Sequence, residues 1–98
     1  MMAALPPMHC TIEHQDKGGM TTVVPTIVGG GRTQGTFQFE IISSSGGNRS
    51  SNSQGGDFEK TDSGRLALSR STISKGGWTA RLTVYGPDGE KLCTVSVP

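Results

Sequence analysis

Residues 78–97 read Trp78-Thr79-Ala80-Arg81-Leu82-Thr83-Val84-Tyr85, then Gly86-Pro87-Asp88-Gly89, then Glu90-Lys91-Leu92-Cys93-Thr94-Val95-Ser96-Val97. On the way out, the apolar Trp78, Ala80, Leu82 and Val84 alternate with Thr79, Arg81, Thr83 and Tyr85. On the return, Lys91, Cys93, Val95 and Val97 hold the alternate positions. A period of two is that of a strand with one buried face. The four residues between the two runs are turn formers, so the segment predicts a hairpin. A four-residue loop pairs Tyr85 with Glu90, Leu82 with Cys93, Ala80 with Val95 and Trp78 with Val97. Both apolar sets then point to one face, and Tyr85 and Glu90 point outward.

The same period runs through the rest of the chain, punctuated by glycine clusters. His9 to Gln15 predicts a first strand with Cys10, Ile12 and His14 on one face, followed by a turn at Asp16-Lys17-Gly18-Gly19. A second strand spans about Met20 to Val28. Pro25 interrupts it, and because proline has no N–H for a ladder it marks an edge, a bulge or a bend. Gly35 to Ser43 alternates Phe37, Phe39 and Ile41 with Thr36, Gln38, Glu40 and Ile42. Residues 44–56 are almost wholly polar, which predicts an edge strand over Arg49 to Gln54 with mobile ends, anchored beyond by Phe58. Arg65 to Ser71 supplies a further strand through Leu66 and Leu68, and Ile73 adds an apolar contact. About seven short antiparallel strands without a helix predict an all-β, immunoglobulin-like β-sandwich, with a closed barrel of oligonucleotide-binding type as the rival. The chain divides into a disordered N-terminal remnant, residues 1–8, and one domain, residues 9–98.

Composition agrees with this reading. In 98 residues, Gly, Ser and Thr make up more than a third, whereas 32% is hydrophobic and 5% aromatic, so the core is thin. A net charge of +1 lacks the positive field of a nucleic-acid binder. No apolar run is long enough to span a bilayer, and the first eight residues lack the basic start of a signal peptide. Cys10 and Cys93 lie too far apart for a CxxC redox or zinc spacing. They form either one disulfide, if the terminal strands are neighbours, or two buried free thiols. The disulfide contributes on the order of 4 kcal/mol by the chain-entropy model and implies an oxidising compartment.

No catalytic, cofactor-binding or metal-binding constellation emerges, and the chain is read as a non-enzyme without cofactor. The acidic residues are scattered over turns and solvent faces. His9 and His14, five apart on one strand, point to opposite faces and cannot share a metal. Gly29-Gly30-Gly31 precedes Arg32-Thr33-Gln34 instead of the Lys-Ser/Thr of a phosphate loop. Trp78 is read as core filler, and a sugar-binding platform lacks the aromatics it needs.

Val24-Pro25-Thr26-Ile27-Val28, Gly35-Thr36-Phe37-Gln38-Phe39-Glu40-Ile41, the polar Ser50-Ser51-Asn52-Ser53-Gln54-Gly55-Gly56 with Phe58, Leu68-Ser69 and the closing hairpin resemble the small periplasmic curli-assembly chaperones. The match is nearer to the CsgH type than to the CsgC type and covers about residues 10 to 97. It implies an immunoglobulin-like sandwich and a periplasmic, monomeric inhibitor, its signal peptide removed, that keeps curli subunits, the major and also the minor curlin, from polymerising before export. The CsgC type carries a Cys-x-Cys pair that this chain lacks, so thiol exchange has no support here. Amyloid subunits add as strands to exposed edges, and a polar, glycine-flanked edge could pair with them briefly without templating more. The expected contact residues are Arg49, Ser51, Ser53 and Gln54 on that edge, helped by Arg32, Lys60, Arg65 and Arg70. The alternative is a generic immunoglobulin-like adhesion or ligand-binding module.

Overall fold

The computed structural model describes residues 8–45, 47–61, 64–74 and 76–97, and every regular element among them is a strand. In chain order these are β1 (His9–Lys17), β2 (Met20–Val28), β3 (Thr33–Ser45), β4 (Asn48–Lys60), β5 (Arg65–Ala67), β6 (Ser71–Ser74), β7 (Gly77–Tyr85) and β8 (Lys91–Val97). They form two antiparallel sheets. In the first, β2 lies between β1 and the successive short strands β5 and β6. The second runs β4-β3-β7-β8. The chain is thus the all-β sandwich that the alternating runs predict, with eight strands in place of about seven.

The core lies between the sheets. β3 contributes Phe37, Phe39 and Ile41, and β7 contributes Ala80, Leu82 and Val84. Ile12, Val23 and Ile27 come from the first sheet, and Phe58 from β4. Val23, Ile27, Leu82 and Val84 are fully shielded, and each large apolar side chain so placed contributes roughly 1.5–3 kcal/mol. Cys10 of β1 and Cys93 of β8 are joined by a disulfide, their Cα atoms 5.9 Å apart. The bond crosses from one sheet to the other and links positions 83 apart in sequence.

Pro25 explains the extra strand. On the β5 side, Thr26 pairs with Ala67 and Ile27 with Leu66; on the β6 side, Val23 pairs with Ser71 and Thr22 with Thr72. The register therefore slips by one residue across Val24-Pro25. The Pro25 carbonyl accepts from the Leu68 N–H at 2.8 Å, so the main-chain groups of Pro25 face this partner, where the missing N–H leaves the ladder incomplete. The expected Arg65–Ser71 strand consequently breaks at residues 68–70, and the bulge allowed for at Pro25 is located.

The closing hairpin needs a correction of register. The Gly86 N–H donates to the Glu90 carbonyl, Tyr85 pairs with Lys91, and Leu92 is then the extra residue of a bulge, so that Val84, and not Leu82, faces Cys93. The longer loop and the bulge each displace the register by one. Together they make a shift of two, which preserves facing and keeps both apolar sets inward.

β1 runs to Lys17, and its turn shrinks to Gly18-Gly19, whose φ values of 59° and 81° are those of a tight primed hairpin turn. Of the expected N-terminal remnant, residues 1–7 lie outside the described residues. Met8 does not belong with it, being half-buried against the core.

Candidate functional site

The polar segment begins with the last residues of β3, Ser44 and Ser45, and from Asn48 onward forms one continuous strand. β4 pairs with β3 from Asn48, opposite Ser45, to Lys60, opposite Thr33. Ladder bonds are made by the main chain, so a strand can lengthen along an existing neighbour without apolar side chains. This is why β4 exceeds the expected Arg49–Gln54 stretch, and why its flanks are paired with β3.

Register assigns each side chain to a face. Gly56, Gln54 and Asn52 lie opposite Phe37, Phe39 and Ile41, so the even-numbered residues, with Phe58 and Lys60, share the core-facing side. Arg49, Ser51, Ser53, Gly55, Asp57 and Glu59 lie on the outer face, and all six are exposed.

The direction of the main chain follows from β7. Thr94 Oγ1 donates to the Leu82 carbonyl at 3.0 Å, so the main-chain groups of Leu82 face β8. Alternation turns those of Thr83 and Arg81 toward β3, and those of Phe37, Phe39, Ile41 and Ser43 toward β4. Their partners Gly56, Gln54, Asn52 and Ser50 fill that ladder. The N–H and C=O groups of Arg49, Ser51, Ser53, Gly55, Asp57 and Glu59 are left aimed away from β3, along an edge that is open among the described residues. The same six residues therefore present both their side chains and their hydrogen-bonding groups outward.

Of the residues expected at the site, Arg49, Ser51 and Ser53 are brought together on this row. Gln54 is not on it. Its Nε2 donates to Ser71 Oγ at 3.0 Å and its carbonyl accepts from Ser69 Oγ, so it ties β4 to the opposite sheet. Lys60 is 2% exposed, and its Nζ donates to the Gly31 carbonyl at 3.4 Å; it is a buried residue and not a surface cation. Arg65 pairs with Glu13 on the outer face of the first sheet, where the Thr26 hydroxyl also donates to Glu13, at 3.2 Å. Arg32 and Arg70 are exposed, in the loop before β3 and in the link between β5 and β6. Arg70 follows Ser69 and precedes Ser71, the two residues that bond Gln54 of β4, whereas Lys60 is buried and Arg65 is engaged by Glu13.

Gly55, Asp57 and Glu59 complete the row, beyond the residues expected from the sequence. A signal for them was present: Phe58 as the one large anchor sets the parity of the strand, turning Gln54 and Lys60 inward and Asp57 and Glu59 outward. A hollow of about 570 Å³ lies at this end of the outer face, bordered by Gln34, Thr36, Asp57, Glu59 and Pro87. Trp78 is half-buried at the far end of the core and meets His14 edge to face, with ring centroids 5.2 Å apart. Among the described residues no group of His, Cys, Asp or Glu is placed to hold a metal ion.

A two-sheet sandwich with a disulfide between its sheets and one long polar edge defines the class of this molecule. No protein-family model and no curated protein matches the sequence. Solved structures do match the fold. One is the solution structure of R. palustris CsgH, with a TM-score of 0.73 and 18% identity over 90% of each chain. Another is the E. coli curli protein CsgC, with a TM-score of 0.78 and 14% identity over 93% of this chain and 98% of that one. These are the two types that the sequence resembles. At such identities the likeness is one of fold, and it confirms the architecture that the resemblance implied.

Proposed function

We propose that this chain acts in curli biogenesis as a periplasmic, chaperone-like inhibitor that keeps curli subunits from polymerising into amyloid. The observation that carries the reading is the open edge of β4. It is thirteen residues long, has no proline, and offers six successive outward-facing residues of which none is apolar. The fold shared with CsgH and CsgC supports a curli-related role.

The chemistry of the edge suits brief contact. An assembling subunit exposes unpaired N–H and C=O groups at its growing end, and β4 matches them with the same groups in a fixed strand. Stable amyloid addition also needs interdigitated side chains. Ser51, Ser53 and Gly55 offer almost none, and Arg49, Asp57 and Glu59 must remain solvated. A subunit strand so paired is held by main-chain bonds alone and leaves again. On its far side β4 is already bonded to β3, so this chain offers a subunit only the one edge. The inter-sheet disulfide fits an oxidising compartment.

The test is fibrillation of the major curlin followed by dye fluorescence, with this protein at substoichiometric amounts. The expected result is a lengthened lag. Repeating it with Arg49→Glu at rising salt reads the electrostatic part, which weakens as the Debye length falls from about 10 Å at 0.1 M to about 3 Å at 1 M. An unchanged lag with the unaltered protein contradicts the proposal.

A further inference from the structure

The charges on the β4 edge carry one more consequence. Arg49 stands at one end of the outward row and Asp57 and Glu59 at the other, with only Ser51, Ser53 and Gly55 between them. Such a row is complementary to itself when reversed. Turning a second copy about a twofold axis through Ser53 places the two β4 strands antiparallel, outer faces on the same side. Ser53 meets Ser53, Ser51 meets Gly55, and Arg49 of each copy meets Asp57 of the other. A slide by two residues puts Arg49 opposite Glu59 instead, so opposite charges face each other in both registers.

The main chain satisfies a second, independent condition. Antiparallel pairing requires that the outward N–H and C=O groups of one strand meet those of the other. In the register above, odd-numbered residues meet odd-numbered residues throughout, and these are the ones whose groups point away from β3. The other sheet edges lack this combination. β8 is short and bulged at Leu92, β5 and β6 are broken at residues 68–70, and Glu13 on β1 is engaged by Arg65 and Thr26.

We infer that a second copy of this chain is a partner of the β4 edge, forming a reversible antiparallel dimer in which the two β4-β3-β7-β8 sheets become one. The dimer departs from the monomer expected from the sequence. It uses the edge on which the proposed function rests, and closes it, so concentrated protein stores the edge and dilution releases it. The interface lacks apolar side chains, which makes the association weak and dependent on salt.

Analytical ultracentrifugation of the protein alone, with no curli subunit present, tests this apart from the functional reading. The apparent mass of the unaltered chain is expected to rise above 10.2 kDa with concentration at low salt and to fall back at high salt. Arg49→Asp sets acid against acid, and the double substitution Asp57→Arg with Glu59→Arg sets base against base. Each alone is expected to weaken association about tenfold, and an equimolar mixture of the two to restore it, because every facing pair is then opposite in charge. Ser53→Pro, which removes an outward N–H and none of the β3 ladder, is expected to abolish it. In amide exchange, Ser51, Ser53 and Gly55 gain protection with concentration, while Ser50, Asn52 and Gln54 are already protected by β3. A constant monomer mass, a mixture no tighter than its components, or a dimer that survives Ser53→Pro overturns the inference.

Discussion

The two edges of the β4-β3-β7-β8 sheet are built by opposite means. β8 is short, turns Cys93, Val95 and Val97 toward the core, carries a bulge at Leu92 and is fastened to the other sheet by the Cys10–Cys93 bond. β4 is nearly twice as long and, apart from Phe58, has no large apolar side chain. It is held by its ladder to β3, by the inward Phe58, Gln54 and Lys60, and by little else. One edge is locked by covalent and apolar contacts. The other keeps a regular, outward-facing main chain, which suits it to pair with another strand.

The largest effect expected from that difference is on the locked side. Cys10→Ser with Cys93→Ser frees a loop that spans most of the chain and costs about 4 kcal/mol, measured by denaturant unfolding with and without reductant. Next comes the strand that separates the two edges. Gly35 sits in β3, and a Cβ there would collide with the carbonyl oxygen of Tyr85, so Gly35→Ala is expected to cost about 1–3 kcal/mol. A thermal melt of the single variant checks it. On the open side, Gln54→Ala removes the side-chain bonds to Ser69 and Ser71 and costs about 1–2 kcal/mol, read by the same unfolding. Smallest of all for stability is Ser53→Pro, about 1 kcal/mol or less, because the N–H it deletes faces the open edge.

The two edges also differ in how far the sequence reveals them. β8 and β7 announce themselves through alternation, since one side of each must meet the core. Their register differs by two residues from the one alternation predicts, because the loop and the bulge each shift it by one and the two shifts add to an even total. Alternation is insensitive to any even displacement. β4 reads as a polar edge strand in the sequence, but its full length is not legible there, because pairing along β3 leaves no trace in side-chain pattern. Its inward and outward residues were readable from Phe58, whose parity assigns Gln54 and Lys60 to the interior. The Arg65–Glu13 pair was not readable, since nothing local joins residues 52 apart. Pro25 was visible as an irregularity, whereas the strand it would break depended on which partner lay on its N–H side.

The claim that the outward main chain of β4 carries the function is tested most directly by the lag time of major-curlin fibrillation in the presence of the Ser53→Pro variant. It is compared with the unaltered protein at the same substoichiometric ratio, after both have been shown to be fully folded at the assay temperature. The unaltered protein is expected to lengthen the lag and the variant to leave it at the value of the subunit alone. A variant that lengthens the lag as much as the unaltered protein contradicts the account and moves the contact away from the β4 edge.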